Sequence, residues 1–110
     1  MDKWNIIFLQ GATYQQTITV TGVADIASAT EWRVNCAFPG SAPFLTATTT
    51  NGMIVAGATT NQKIMVIPAA TTALFDLGNA RFDFEIEWTG GVIRRYVANG
   101  LVQVNPAAGG

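Results

Sequence analysis

Residues 80–88 read Ala80-Arg81-Phe82-Asp83-Phe84-Glu85-Ile86-Glu87-Trp88. Every second side chain is apolar, and the ones between are charged. A strand sends alternate side chains to opposite faces, so this stretch is a half-buried β-strand with Ala80, Phe82, Phe84, Ile86 and Trp88 turned to the core. The same period recurs in residues 31–38, where Trp32, Val34, Cys36 and Phe38 oppose Glu31, Arg33 and Asn35. A third run, residues 14–20, sets Tyr14, Ile18 and Val20 against Thr13, Thr17 and Thr19. Three such strands predict antiparallel sheets with one wet face.

Shorter segments extend the pattern. Residues 5–10 form an apolar strand whose Ile6, Ile7, Phe8 and Leu9 leave no polar face, so it is expected to be covered on both sides or paired with a neighbour. Residues 46–50 and 53–56 flank Asn51-Gly52, a dipeptide suited to a type I′ hairpin turn. Residues 63–67 read as a strand that Pro68 ends. Residues 69–74 are the one helix-like stretch, and Gly78 closes it. Gly90-Gly91 predicts a second hairpin. A two-residue turn there sets Glu87 opposite Arg94, whereas a three-residue turn sets Glu87 opposite Ile93; the charge match favours the first. Asn99-Gly100 predicts a bulge in the last strand. The sum is an all-β fold, an immunoglobulin-like antiparallel β-sandwich of seven to eight strands with one short helical turn. A closed barrel is the alternative.

The chain has 110 residues with 49% hydrophobic and 12% charged side chains, about half the usual ~25% charge. One domain is expected over residues 1–106, with 107–110 as a short flexible tail. Area scaling gives about 5,900 Å² of surface for a folded chain of this size, against about 17,000 Å² unfolded. Burial on that scale builds a core without disulfides, and the single cysteine, Cys36, has no internal partner. There is no histidine. A histidine base, a Ser-His-Asp triad and a histidine metal site are thereby excluded. A net charge of −1 argues against nucleic acid as partner. The apolar run Ile6–Leu9 is too short for a signal-peptide core or a membrane span, so synthesis in a cytoplasm is expected.

Few residues here carry chemistry. Asp83, Glu85 and Glu87 form the one carboxylate stripe. Alternation alone accounts for their spacing, with Arg94 expected as their partner. An acid–base pair or a Ca²⁺ site is the competing reading, but the Asp/Asn/Gly clustering of a calcium loop is absent. Cys36 falls on an apolar face with no base to activate it. No catalytic residue, cofactor or metal site is predicted. Trp4 stands in a polar setting, suited to an interface anchor or to core and edge capping. The candidate partner interface is Trp4, Ile6, Phe8 and Arg95.

Several of these segments occur in an order that resembles a known family. Gln10-Gly11-Ala12-Thr13-Tyr14 before an alternating strand looks like the "QGDTF" opening of a small β-sandwich family of tailed bacteriophages and prophages. The similarity continues through residues 68–74, Leu77-Gly78, residues 82–86 and residues 91–95. It ends with Gly100-Leu101-Val102 and Val104-Asn105-Pro106. The sequence is also similar to the N-terminal domain of lactococcal phage upper baseplate proteins. It departs from the pattern at Ala12, where the family has Asp, and at Phe82, where it has Tyr. The resemblance implies a non-enzymatic virion structural protein, immunoglobulin-like, in a tail, collar or baseplate, anchoring fibres or receptor-binding proteins. Its expected partners are other virion proteins, with multiple copies per particle, and neither nucleic acid nor membrane. Head decoration is the alternative within that class. Outside it, a carbohydrate-binding module would use Trp4 and Tyr96 to stack on sugar.

Overall fold

The computed structural model describes residues 5–107. Trp4 lies outside them, as does the expected tail apart from Ala107. Eight strands appear in chain order: β1 (Ile6–Leu9), β2 (Tyr14–Thr19), β3 (Ala29–Ala37), β4 (Leu45–Thr48), β5 (Ile54–Ala56), β6 (Gln62–Ile67), β7 (Gly78–Trp88) and β8 (Val92–Asn105). A 3-10 turn (Ile26–Ser28) precedes β3, and one helical turn, α1 (Ala69–Thr72), joins β6 to β7. The strands form two sheets, β1-β8-β7-β3-β4 and β2-β6-β5. This is the expected all-β sandwich, and its strand order is immunoglobulin-like. The first strand departs from the antiparallel expectation, because β1 runs parallel to the end of β8, with Ile6 beside Val102 and Phe8 beside Val104.

The inward side chains follow the sequence period. Trp32, Val34 and Cys36 of β3 and Phe82, Phe84 and Ile86 of β7 are buried, and they meet Ile18, Met65 and Ile67 from the smaller sheet. Proline placement follows the hydrogen-bonding rule: Pro68 ends β6, and its carbonyl accepts from the Thr71 and Thr72 N–H groups to start α1.

Two expected hairpin geometries are corrected. The segments around Asn51-Gly52 do not pair with each other. β4 adds to β3 in the large sheet, while β5 adds to β6 in the small one. Gly52 has a positive φ of 82° but Asn51 does not, so the type I′ turn is absent. The connection instead crosses between sheets, because Leu45 and Ala47 on one side and Ile54 on the other are buried in the same core from opposite layers.

The β7–β8 turn is the three-residue one. Trp88 opposes Val92, Glu87 opposes Ile93 and Ile86 opposes Arg94. Gly90 and Gly91 both take positive φ (87° and 79°), leaving Thr89 in the loop. In this register Arg94 lies over the Trp88 ring, 4.8 Å from its centroid. The Trp88 indole N–H donates to the Asp25 carbonyl at 2.9 Å, and Arg94 reaches the Asp25 carboxylate at 3.7 Å. Arg94 therefore secures the loop before β3 rather than the acidic stripe.

The bulge at Asn99-Gly100 is present. The β7–β8 register shifts twice, between Phe82 and Phe84 and again between Phe84 and Glu85; the first shift falls at Asn99, which has φ 54°. Its N–H donates to Asp83 Oδ1 at 3.1 Å, which holds the bulge in place.

Candidate functional site

The outer face of the large sheet carries most of the chain's charge. Glu31 and Glu87 stand directly opposite on β3 and β7, as do Arg33 and Glu85. Two glutamates facing across a ladder repel. Arg33 resolves this by bridging all three: Glu31 at 2.5 Å, Glu87 at 3.0 Å and Glu85 at 3.3 Å. Glu85 also meets Arg95 at 3.2 Å. The hydrogen bond from Arg33 holds the Glu31 carboxyl below its ordinary value, against the opposing effect of burial. The same carboxylates raise the Arg33 guanidinium. What the panel does chemically is lock β3 to β7. Sequence reasoning missed Arg33 as its hub and assigned Arg94 instead. Arg33 alternates in phase with Glu31, but its position beside Glu85 depends on a pairing 52 residues away.

The predicted partner residues are placed differently from one another. Ile6 and Phe8 are fully buried, so neither offers a side chain to a partner. Phe8 packs edge-on against Tyr14 and Phe75, with centroids at 4.9 and 5.0 Å. The outward residue of β1 is Ile7, 56% exposed, so the strand is covered on one face only. Arg95 is exposed and salt-bridged. Tyr96, expected as a sugar-stacking residue if exposed, is packed toward the core with its ring 6.0 Å from Phe84 and its hydroxyl buried. Tyr96 falls at the register shift between Phe84 and Glu85 and is half-buried. Cys36 is fully buried, and burial pushes its thiol up to about 12.

Among the described residues, exposed apolar side chains gather in three places, with Val55 of β5 apart from them. Ile7 and Leu101 flank a shallow hollow at the β1–β8 margin, completed by Asn5, Asn79, Arg81 and Gln103. Leu74 (83% exposed) and Leu77 follow α1, beside a second hollow floored by Phe38, Phe44 and Phe75. Val92 and Ile93 stand at the hairpin tip. Among the described residues, no group of three His, Cys, Asp or Glu side chains is placed to hold a metal ion.

Two of the motifs quoted above, residues 10–14 and residues 68–74, meet in the structure. Gln10 Nε2 donates to the Phe75 carbonyl at 2.6 Å, and Thr72 Oγ1 donates to the Ala12 carbonyl at 2.8 Å. Gly11, with φ 77°, makes the turn that carries the chain from β1 in one sheet to β2 in the other. The Thr72–Ala12 bond joins the residues 10–14 motif to the residues 68–74 motif, and Gln10 reaches Phe75 just beyond it, so the two stretches form one buckle that closes this end of the sandwich. No protein-family model matches the sequence, and no curated protein matches it.

Proposed function

We propose that this chain is a structural protein of a tailed-bacteriophage virion, a tail, collar or baseplate component that anchors fibres or receptor-binding proteins. The observation that carries the reading is the ordered series of motifs from Gln10 to Pro106. Two features support it. The buckle between the first two motifs gives their joint occurrence a physical reason, since Thr72 of the second supplies the donor that the Ala12 carbonyl of the first accepts. The low charge supports it too: subunit interfaces are depleted of charge at their centres, and the Ile7–Leu101 margin has Arg81 as its one charged lining residue. Covering such a margin takes few ions out of water.

The test is quantitative proteomics of purified particles from the phage or prophage that encodes the chain. Stoichiometric recovery with tail proteins supports the proposal, and absence from the particles sinks it. Recovery with capsid proteins at high copy instead assigns the alternative, head decoration. A substitution refines the test. Ile7→Glu places a carboxylate on the exposed margin without touching the core and is expected to block incorporation while the protein still folds.

A further inference from the structure

The free edge of β4 is occupied by a side chain of its own connection. In an antiparallel ladder, successive residues point their backbone groups alternately toward the neighbouring strand and away from it. The Thr49 N–H donates to the Trp32 carbonyl at 3.1 Å, which sets the odd-numbered residues of this segment toward β3. Thr46 and Thr48 therefore aim their backbone groups outward, where an edge strand ordinarily meets water or another chain. Here they meet Asn51. Its Nδ2 donates to the Thr46 carbonyl at 2.7 Å, and its Oδ1 accepts from the Thr48 N–H at 3.0 Å. The same Oδ1 accepts from the Met53 N–H at 3.0 Å, and the Asn51 N–H donates to Thr48 Oγ1 at 2.9 Å. The carboxamide cannot be turned over, because two N–H groups aim at its oxygen and one carbonyl at its nitrogen. It offers one donor and one acceptor, as a peptide unit of an added strand would.

We propose that Asn51 is an edge guard that prevents the β4 edge of one copy from pairing with the β4 edge of another. Leu45–Thr48 has the makings of such a pairing. It is rich in threonine and holds no proline, and no charge falls between Arg33 and Lys63. Lysine, proline and bulges are the usual protection of an edge, and none of the three occurs within β4. Two identical edges can meet about a twofold axis, each satisfying the other. The carboxamide takes the two central groups such a ladder needs. This inference does not rest on the virion reading.

Sedimentation velocity of Asn51→Ala tests it. The variant is expected to form a larger species as concentration rises, over a range in which the unsubstituted protein's sedimentation does not change. Adding Thr46→Lys, which puts a charge on the exposed side of the same edge, is expected to restore the parent behaviour. A folded Asn51→Ala that sediments like the parent overturns the proposal. So does association that Thr46→Lys leaves intact, since it then runs through another surface. Hydrogen exchange on the unsubstituted protein covers the case in which Asn51→Ala fails to fold. The Thr48 amide is expected to exchange about five- to tenfold more slowly than that of Ala56, an outward amide of the β5 edge. Equal or faster exchange at Thr48 overturns it.

Discussion

Replacing Gly100 by alanine adds one methyl group against the buried ring of Phe82. Gly100 stands opposite Phe82 in the β7–β8 ladder, and the Phe82 ring lies over it. A Cβ at position 100 would sit 2.3 Å from Phe82 Cε1, 2.6 Å from Cζ and 2.7 Å from Cδ1. Carbon atoms rest at about 3.5–4.0 Å, so the ring would have to retreat by roughly 1 Å or more. Phe82 is 1% exposed and has no solvent to move into. Overpacking of this kind costs about 1–3 kcal/mol. Alanine returns about 0.4–1 kcal/mol by restricting the unfolded chain. The φ of Gly100 is not positive, so backbone strain does not enter. The net expectation is a loss of about 1–2 kcal/mol. At about 4–8 °C per kcal/mol, Tm falls by roughly 5–15 °C. Thermal and urea unfolding followed by tryptophan fluorescence measure it, with the urea midpoint lowered and the slope unchanged. The double variant Gly100→Ala with Phe82→Leu is expected to lose less than the sum of the singles, because leucine vacates the space the methyl needs. A Gly100→Ala protein as stable as the parent, or an additive double variant, would refute the steric argument.

Three further outcomes follow from the geometry. Thr72→Val keeps the shape of a fully buried side chain but removes the donor to the Ala12 carbonyl; urea unfolding is expected to show a loss of about 1–3 kcal/mol. Glu31, with its folded pKa lowered by Arg33, contributes stability that is fully present above its ordinary value of 4.5 and is lost as pH falls through the lowered value. Urea midpoints measured from pH 6 down to pH 3 are therefore expected to fall less steeply in Glu31→Gln than in the parent. Cys36, buried and with its thiol pushed up to about 12, is expected to resist a thiol reagent at pH 8 in the folded protein. Ellman titration with and without denaturant checks this, and prompt reaction without denaturant would contradict it.

The surface features were less legible than the core. Alternation in residues 31–38 and 80–88 states which side chains go inward, and the structure buries Trp32, Val34, Phe82 and Phe84 accordingly. In residues 5–10 the same rule has nothing to act on, since four consecutive apolar residues fit either phase. Ile6 and Phe8 go inward because β1 docks beside Val102 and Val104, which lie about a hundred residues away. Ile7 is left outside for the same reason. Leu74 and Leu77 follow a single helical turn, too short for a periodic pattern to mark their exposure.

By itself the sequence determined the strand content, the inward face of the long strands, the proline stop after β6 and the absence of histidine chemistry. These are local properties: a period of two, a missing N–H or a missing imidazole needs no knowledge of neighbours. Only the tertiary structure decided which strands share a sheet, which register the β7–β8 hairpin takes and which arginine serves the acidic stripe. A strand's alternation is the same whichever strand it pairs with. Asn51-Gly52 therefore reads as a hairpin, although β4 and β5 belong to opposite layers. Glu87 reads as the partner of Arg94, although Arg33 reaches it from β3 and Arg94 is held over Trp88. Pairing is settled by burying one shared core between two sheets, and that energy belongs to contacts far apart in the chain.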